Sequence, residues 1–208
     1  MALWPLARVL AAWFPYSVVR RARLPKGPFV AVINHFSLLD PPIAGLAIRR
    51  PVRFLALDEI WGVHRALDAV LVLFDSIPVS RSDRQAVGAL RAALRHLESR
   101  HPIGVFPEGR RVAVWGEMPL KTGAAWLAIR ASVPVVPVAI WGSQHAMPMD
   151  GMRIRRAPIR VVVGLPIDPA PFLEQSDPLV TLNESIRSAL DRELRRLEVA
   201  YPGLPAGE

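Results

Sequence analysis

Two residues five positions apart, His35 and Asp40 in "VINHFSLLDPP", lie between an apolar run and a pair of prolines. An imidazole held through one ring nitrogen by a carboxylate presents its other nitrogen as a base, the arrangement that takes a proton from an attacking hydroxyl. On spacing alone a second reading stands beside it, in which Asp40 only caps a helix and His35 only ends a strand. The chain has no cysteine, so thiol nucleophiles, thiolate metal sites and disulfides are excluded together. Hydroxyl, imidazole, carboxylate and cation chemistry remain.

Two further stretches carry polar groups in similar places. In "GVFPEGRR", residues 104–111, Pro107 and Gly109 bracket Glu108 in a turn, and Arg110 and Arg111 follow. Such a turn exposes backbone N–H groups and suits an anion, with Glu108 either positioning an arginine or bonding a hydroxyl. In "FDSIPVSRSD", residues 74–83, Arg81 falls between a strand and a helix start; alone it also reads as a solvated cation. The five histidines show no ligand spacing, so no metal is expected, and no cofactor is expected either.

The elements that must position these groups are short apolar runs at 29–33, 52–56, 77–80, 103–106, 133–140 and 159–164, which read as buried strands. Between them, Val87, Leu90, Leu94 and Leu97 recur at helical spacing behind a capping box of Ser82 and Gln85. Leu179, Leu182, Ile186, Leu190, Leu194 and Leu197 do the same near the end. Asp40, immediately before Pro41, is placed as the N-cap of a helix running to about Ile48. Strands alternating with helices predict one α/β domain with a mixed, largely parallel sheet flanked by helices. Ligands of such sheets bind beyond the carboxyl ends of the strands, where His35, Arg81 and Glu108 all fall.

With 26 basic against 18 acidic residues the net charge is +8, and only Lys26 and Lys121 are lysines. Phosphate esters, anionic lipid surfaces and nucleic acids are all candidate partners, although arginine-rich usage also follows from genomic base composition. Nucleic acid is disfavoured, because the arginines are spread along the chain and the aromatics sit in apolar runs with no stacking face. No apolar run approaches the roughly 20 residues of a spanning helix. Residues 1–26 read as an amphipathic membrane-association segment, a short interfacial helix with Trp4, Trp13 and Tyr16 followed by Arg20, Arg21, Arg23 and Lys26; a first helix packed on the core is the other possibility. The segment lacks the basic start and cleavage site of a secretory signal. The domain proper is expected over 27–200, with 201–208 as a fraying tail.

Four motifs, "NHFSLLD", "IPVSR", "VFPEGRR" and "VPVVPVAIWGS", occur in an order that resembles the glycerolipid acyltransferase family, the PlsC-type enzymes that include 1-acyl-glycerol-3-phosphate O-acyltransferases, over roughly residues 28–165. The resemblance implies that His35 is the general base and Asp40 its partner. It places Arg81, Glu108 and Gly109 on the acceptor, with Arg81 on phosphate. "PLKTGAAWLA" matches a Lys-x-Gly segment, which makes Lys121 a second phosphate candidate as well as a plausible helix-start cation. Arg111 matches the family's arginine; Arg110 stands where a small hydroxyl residue is often found, which leaves the acceptor headgroup open.

The implied reaction moves an acyl group, without a covalent enzyme intermediate, from acyl-coenzyme A or acyl carrier protein to a lysophospholipid hydroxyl, most simply that of lysophosphatidic acid. Another lysophospholipid, a monoacylglycerol or a glycolipid remains open as acceptor. A peripheral or monotopic position on the cytoplasmic face of the membrane is implied, although the N-terminal segment is shorter than the two-helix anchor of some bacterial members. Arg153, Arg155, Arg156 and Arg160 read as a rim for lipid phosphates or those of the donor, or else as a solvated hairpin. The competing class is a non-enzymatic basic protein that binds membrane or nucleic acid.

Overall fold

Uninterrupted apolar runs are stable as strands only where both faces of the sheet are covered. In a computed structural model, which describes residues 13–57, 62, 68, 71–72, 75–79, 83–149 and 153–201, the runs at 29–33, 103–106 and 133–140 occupy such positions, and the described part of the run at 77–80 lies at the sheet edge. The strands are β1 (Tyr16–Arg20), β2 (Val30–Ile33), β3 (Arg53–Leu57), β4 (Ile77–Val79), β5 (Ile103–Val105), β6 (Val135–Trp141) and β7 (Ile159–Val163). They form one sheet in the order β1-β7-β6-β2-β5-β3-β4. Every neighbouring pair is parallel except β6 with β7, so β1 and β7 run against the other five.

The helices are α1 (Asp40–Ile48), α2 (Asp83–Glu98), α3 (Gly123–Ala131), the single turn α4 (Ser143–Ala146) and α5 (Pro178–Ala200). Side chains alternate across the sheet along β2. Ala31 and Ile33 join Ile43, Ala44, Ala47 and Ile48 of α1 on one face. Val30 and Val32 join Ala93 and Leu97 of α2, Leu127 of α3 and Leu182 and Ile186 of α5 on the other. At roughly 1.5–3 kcal/mol for each fully buried aliphatic or aromatic side chain, these two layers are the main force holding the loops in place. Pro137 sits inside β6 at low cost, because the β7 ladder begins only at Val138.

The N-terminal segment differs from expectation where it is described. Residues 1–12, with Trp4, lie outside the described residues, but Tyr16–Arg20 form the edge strand β1 against β7 instead of continuing an interfacial helix. The reason is period: Tyr16 and Val18 pack on the core while Ser17 and Val19 face out, an alternation that suits a strand. Two of the basic cluster are engaged by the fold, Arg20 donating to the Ala47 carbonyl at 2.5 Å and Arg21 pairing with Glu193 at 2.9 Å. At the other end Tyr201 is docked, its carbonyl accepting from the Trp141 indole at 3.0 Å and its ring lying beneath Arg160. Residues 202–208 lie outside the described residues, as does Ser82 of the expected capping box. No helix among the described residues is long and apolar enough to cross a membrane.

Candidate active site

The carboxyl ends of β2 and β5, paired from Val30↔Ile103 to Val32↔Val105, deliver two loops side by side. The first begins with Asn34, whose fully buried side chain pairs with a backbone. Its Nδ2 donates to the Ile140 carbonyl at 2.9 Å and its Oδ1 accepts the Ile140 N–H at 2.8 Å. One amide thus extends the β2–β6 ladder by a position while the main chain is released to turn. Asn34→Ala strands both Ile140 groups in the interior. At about 1–3 kcal/mol per buried unpaired group, a loss of about 2–6 kcal/mol is expected in urea unfolding.

The turn places His35 against Asp40, with Nδ1 2.9 Å from Oδ2. Asp40 is not the N-cap expected from the sequence. Leu39 holds that position, and Asp40 is the first helical residue with Pro41 after it. Its carboxylate turns back into the loop, where Oδ2 accepts the N–H of Phe36 at 2.6 Å and of Ser37 at 2.7 Å. An oxygen already accepting two N–H groups meets the ring as an acceptor, so Nδ1 is the donor in this contact and Nε2 is the ring nitrogen left outside it. Asp40 is wholly buried, whereas the His35 side chain keeps 15% of its surface. The ring plane is set by Phe106, stacked at 4.1 Å, with Phe54 stacked behind at 5.7 Å. Ser37 ties the loop to the far side through its hydroxyl, which donates to the Met147 carbonyl at 2.9 Å.

The second loop grips the first. Glu108 is 2% exposed, and its Oε1 accepts the His35 N–H at 3.1 Å. The Val112 N–H donates to the His35 carbonyl at 2.9 Å. Among the described residues Glu108 Oε2 has no hydrogen-bond partner. Burial pushes the Glu108 carboxyl up from 4.5 to about 7, with the Asp40 charge adding to the shift and the two backbone N–H bonds opposing it. Because the folded value exceeds the unfolded one, the folded state binds the proton more tightly. Stability is therefore fully present below about pH 4.5 and is lost as pH rises toward 7. Relative to Glu108→Gln, whose amide oxygen keeps the bond to His35, the parent chain is expected to lose up to about 3 kcal/mol across that window in urea titrations.

Gly109 adopts φ +71° in the same turn, and a Cβ there would lie 2.6 Å from Lys121 Nζ. The Lys121 side chain therefore lies over the turn, and the Lys121 backbone N–H donates to the Pro107 carbonyl at 2.8 Å. Arg111 is half-buried on the same turn and Arg110 is exposed. His35, Asp40, Glu108, Gly109, Arg111 and Lys121 thus belong to adjoining loops; Arg81 lies outside the described residues, two positions beyond the end of β4. The sequence reading missed the positioning parts of Asn34, Ser37 and Phe106. Asn34 stands inside a motif, but nothing local in the sequence places Ile140 beside it without the strand order.

A family model described as Acyltransferase matches residues 16–141, more than half the chain and the span from β1 to the end of β6. The chain belongs to the acyltransferase family. It is 30% identical over 172 residues, 74% of its length, to a probable 1-acyl-sn-glycerol-3-phosphate acyltransferase of Mycoplasma pneumoniae. It is 33% identical over 130 residues, 60% of its length, to a protein of the same description from Mycoplasma genitalium. The chain spans 62% and 48% of the lengths of these two relatives. The crystal structure of the 1-acyl-sn-glycerophosphate acyltransferase PlsC from Thermotoga maritima shares the fold, with a TM-score of 0.76 at 24% identity, over 95% of this chain and 78% of that one. The mixed sheet flanked by helices is thus a family feature, and the four motifs that resembled the family lie almost wholly inside the matched span.

Proposed function

We propose that the chain transfers a fatty acyl group from a thioester, acyl-coenzyme A or acyl carrier protein, to the free hydroxyl of a lysophospholipid, most simply lysophosphatidic acid to give phosphatidic acid. The observation that carries this reading is the Asp40–His35 contact, which leaves Nε2 as an oriented base on a partly exposed ring. The descriptions of the relatives point the same way. In the step, the acceptor oxygen bonds to the thioester carbonyl carbon as Nε2 takes its proton. Collapse of the tetrahedral intermediate breaks the C–S bond, and the proton passes to the departing thiolate. Asp40 stabilises the imidazolium that forms in between.

Glu108, with a carboxyl titrating near neutral pH and an Oε2 that has no partner among the described residues, serves as the group that bonds an acceptor oxygen, while Arg111 on the turn and Lys121 over it meet phosphate. Arg81, which lies outside the described residues, is the further phosphate candidate that the family motif implies. No metal or cofactor takes part in this scheme. The exposed Arg110, where the family often carries a small hydroxyl residue, favours a second reading in which the acceptor headgroup differs from plain phosphate. Thiol release by purified protein, with acyl-coenzyme A or acyl carrier protein as donor and a panel of lysolipids, monoacylglycerol and glycolipids as acceptors, tests both. Release that depends on lysophosphatidic acid supports the first, release with another acceptor the second, and none with any donor or acceptor ends the proposal.

A further inference from the structure

The reversal of β7 relative to β6 has a spatial result. With Trp141 paired to Arg160, the start of β7 lies beside the carboxyl end of β6. With Tyr16 paired to Ile159, the start of β1 lies there too. Asn34 reaches Ile140 at that same edge. Trp13, the segment that leads into β7 and the His35 loop therefore emerge on one side of the molecule. The segment is also fastened to the site: Ser37 donates to the Met147 carbonyl, and the Arg155 N–H donates to the Ala146 carbonyl at 2.7 Å.

What this edge exposes is basic and apolar together. Arg153, Arg155 and Arg156 are exposed, with Ile154 between them 51% exposed, Met149 40% and Trp13 56%. Arg160 is held back by the Pro15 carbonyl and the Tyr201 ring. From Met118 to Ile167 the sequence has one carboxylate, Asp150. Guanidinium groups interleaved with an aromatic and long aliphatic side chains match a phospholipid headgroup layer, in which charge meets phosphate and the apolar groups enter the acyl boundary. An acidic carrier protein would use the arginines but gives no account of the exposed Trp13, Met149 and Ile154.

We infer that this edge, with Arg153, Ile154, Arg155 and Arg156 at its centre, docks on an anionic bilayer and so presents the His35 loop to lipid-borne acceptor. The inference deepens the proposed function, since it names the surface across which the acceptor reaches that site, and its first readout is independent of turnover. Sedimentation with vesicles of phosphatidylcholine alone, and of phosphatidylcholine with phosphatidylglycerol, is expected to show binding to the anionic vesicles only. Arg153→Glu/Arg155→Glu/Arg156→Glu is expected to weaken that binding on the order of 100-fold. A charge-matched control, Arg91→Glu/Arg95→Glu/Arg100→Glu, alters exposed groups along and beyond α2, which ends at the opposite edge before β5, and is expected to bind nearly as the parent does. Ile154→Ser reports the apolar part and should weaken binding to anionic vesicles while leaving net charge unchanged.

Equal binding to neutral vesicles, equal loss in the control triple, or no effect of Ile154→Ser overturns the inference. So does capture of acyl carrier protein or RNA through the same three arginines in preference to vesicles. Turnover of a monodisperse short-chain acceptor by the Arg153/Arg155/Arg156 variant is expected to persist while turnover of vesicle-borne acceptor falls; loss of both would assign the arginines to chemistry and overturn docking. Vesicle binding that depends on the three arginines, in a chain without transferase activity, would sink the acyl-transfer reading and leave the docking surface standing.

Discussion

His35→Ala is expected to lower kcat for thioester-dependent acyl transfer by about 10²–10⁴-fold, the range contributed by one positioned general base. The fold should survive the change. The ring makes its main contacts with Asp40 and Phe106 at the edge of the core and keeps some solvent exposure, and the backbone bonds of residue 35 to Glu108 and Val112 do not involve the side chain. Circular dichroism and urea midpoints near those of the parent, together with lost thiol release, are the expected pair of results. Turnover retained in a folded His35→Ala chain would remove the base from the mechanism.

Asp40 is expected to separate chemistry from stability when two substitutions are compared. In Asp40→Ala the Phe36 and Ser37 N–H groups lose their acceptor in a site with no solvent, which at about 1–3 kcal/mol each predicts a loss of about 2–6 kcal/mol. The loop should loosen and activity should fall with it. Asp40→Asn can keep a carbonyl oxygen at the Oδ2 position, so most of that stability is expected to remain. The neutral amide cannot stabilise the imidazolium, and kcat is expected to fall by about 10²–10⁴-fold without a matching change in urea midpoint. Comparable activity losses at very different stabilities would identify the carboxylate as a partner of the base; a fall in activity that merely tracks unfolding would make it a loop fastener only.

The parts of this architecture that local pattern controls were legible in the chain. Apolar runs at 103–106 and 159–164 became β5 and β7 within a residue or two, and the helix ending at Ile48 ends there. His35 and Asp40 meet across one turn because only four residues separate them. What was hidden depends on partners far away along the chain. Asn34 finds Ile140 across 106 positions and Glu108 finds His35 across 73, and neither pairing can be inferred without knowing that β2 lies between β5 and β6. The edge strand β1 was obscured for another reason. Its two-residue alternation is short and continues an aromatic and aliphatic stretch that equally suits a helix, so the deciding factor was the open side of β7.

The grip of the Glu108–Val112 turn on both peptide groups of residue 35 has a kinetic corollary. If His35 is the base and this turn receives the acceptor, as proposed, the base cannot be aimed independently of how the turn is seated. Alterations in the turn should therefore register in the turnover number as well as in the saturation constant, and an acceptor that seats poorly will be processed slowly even when it is abundant.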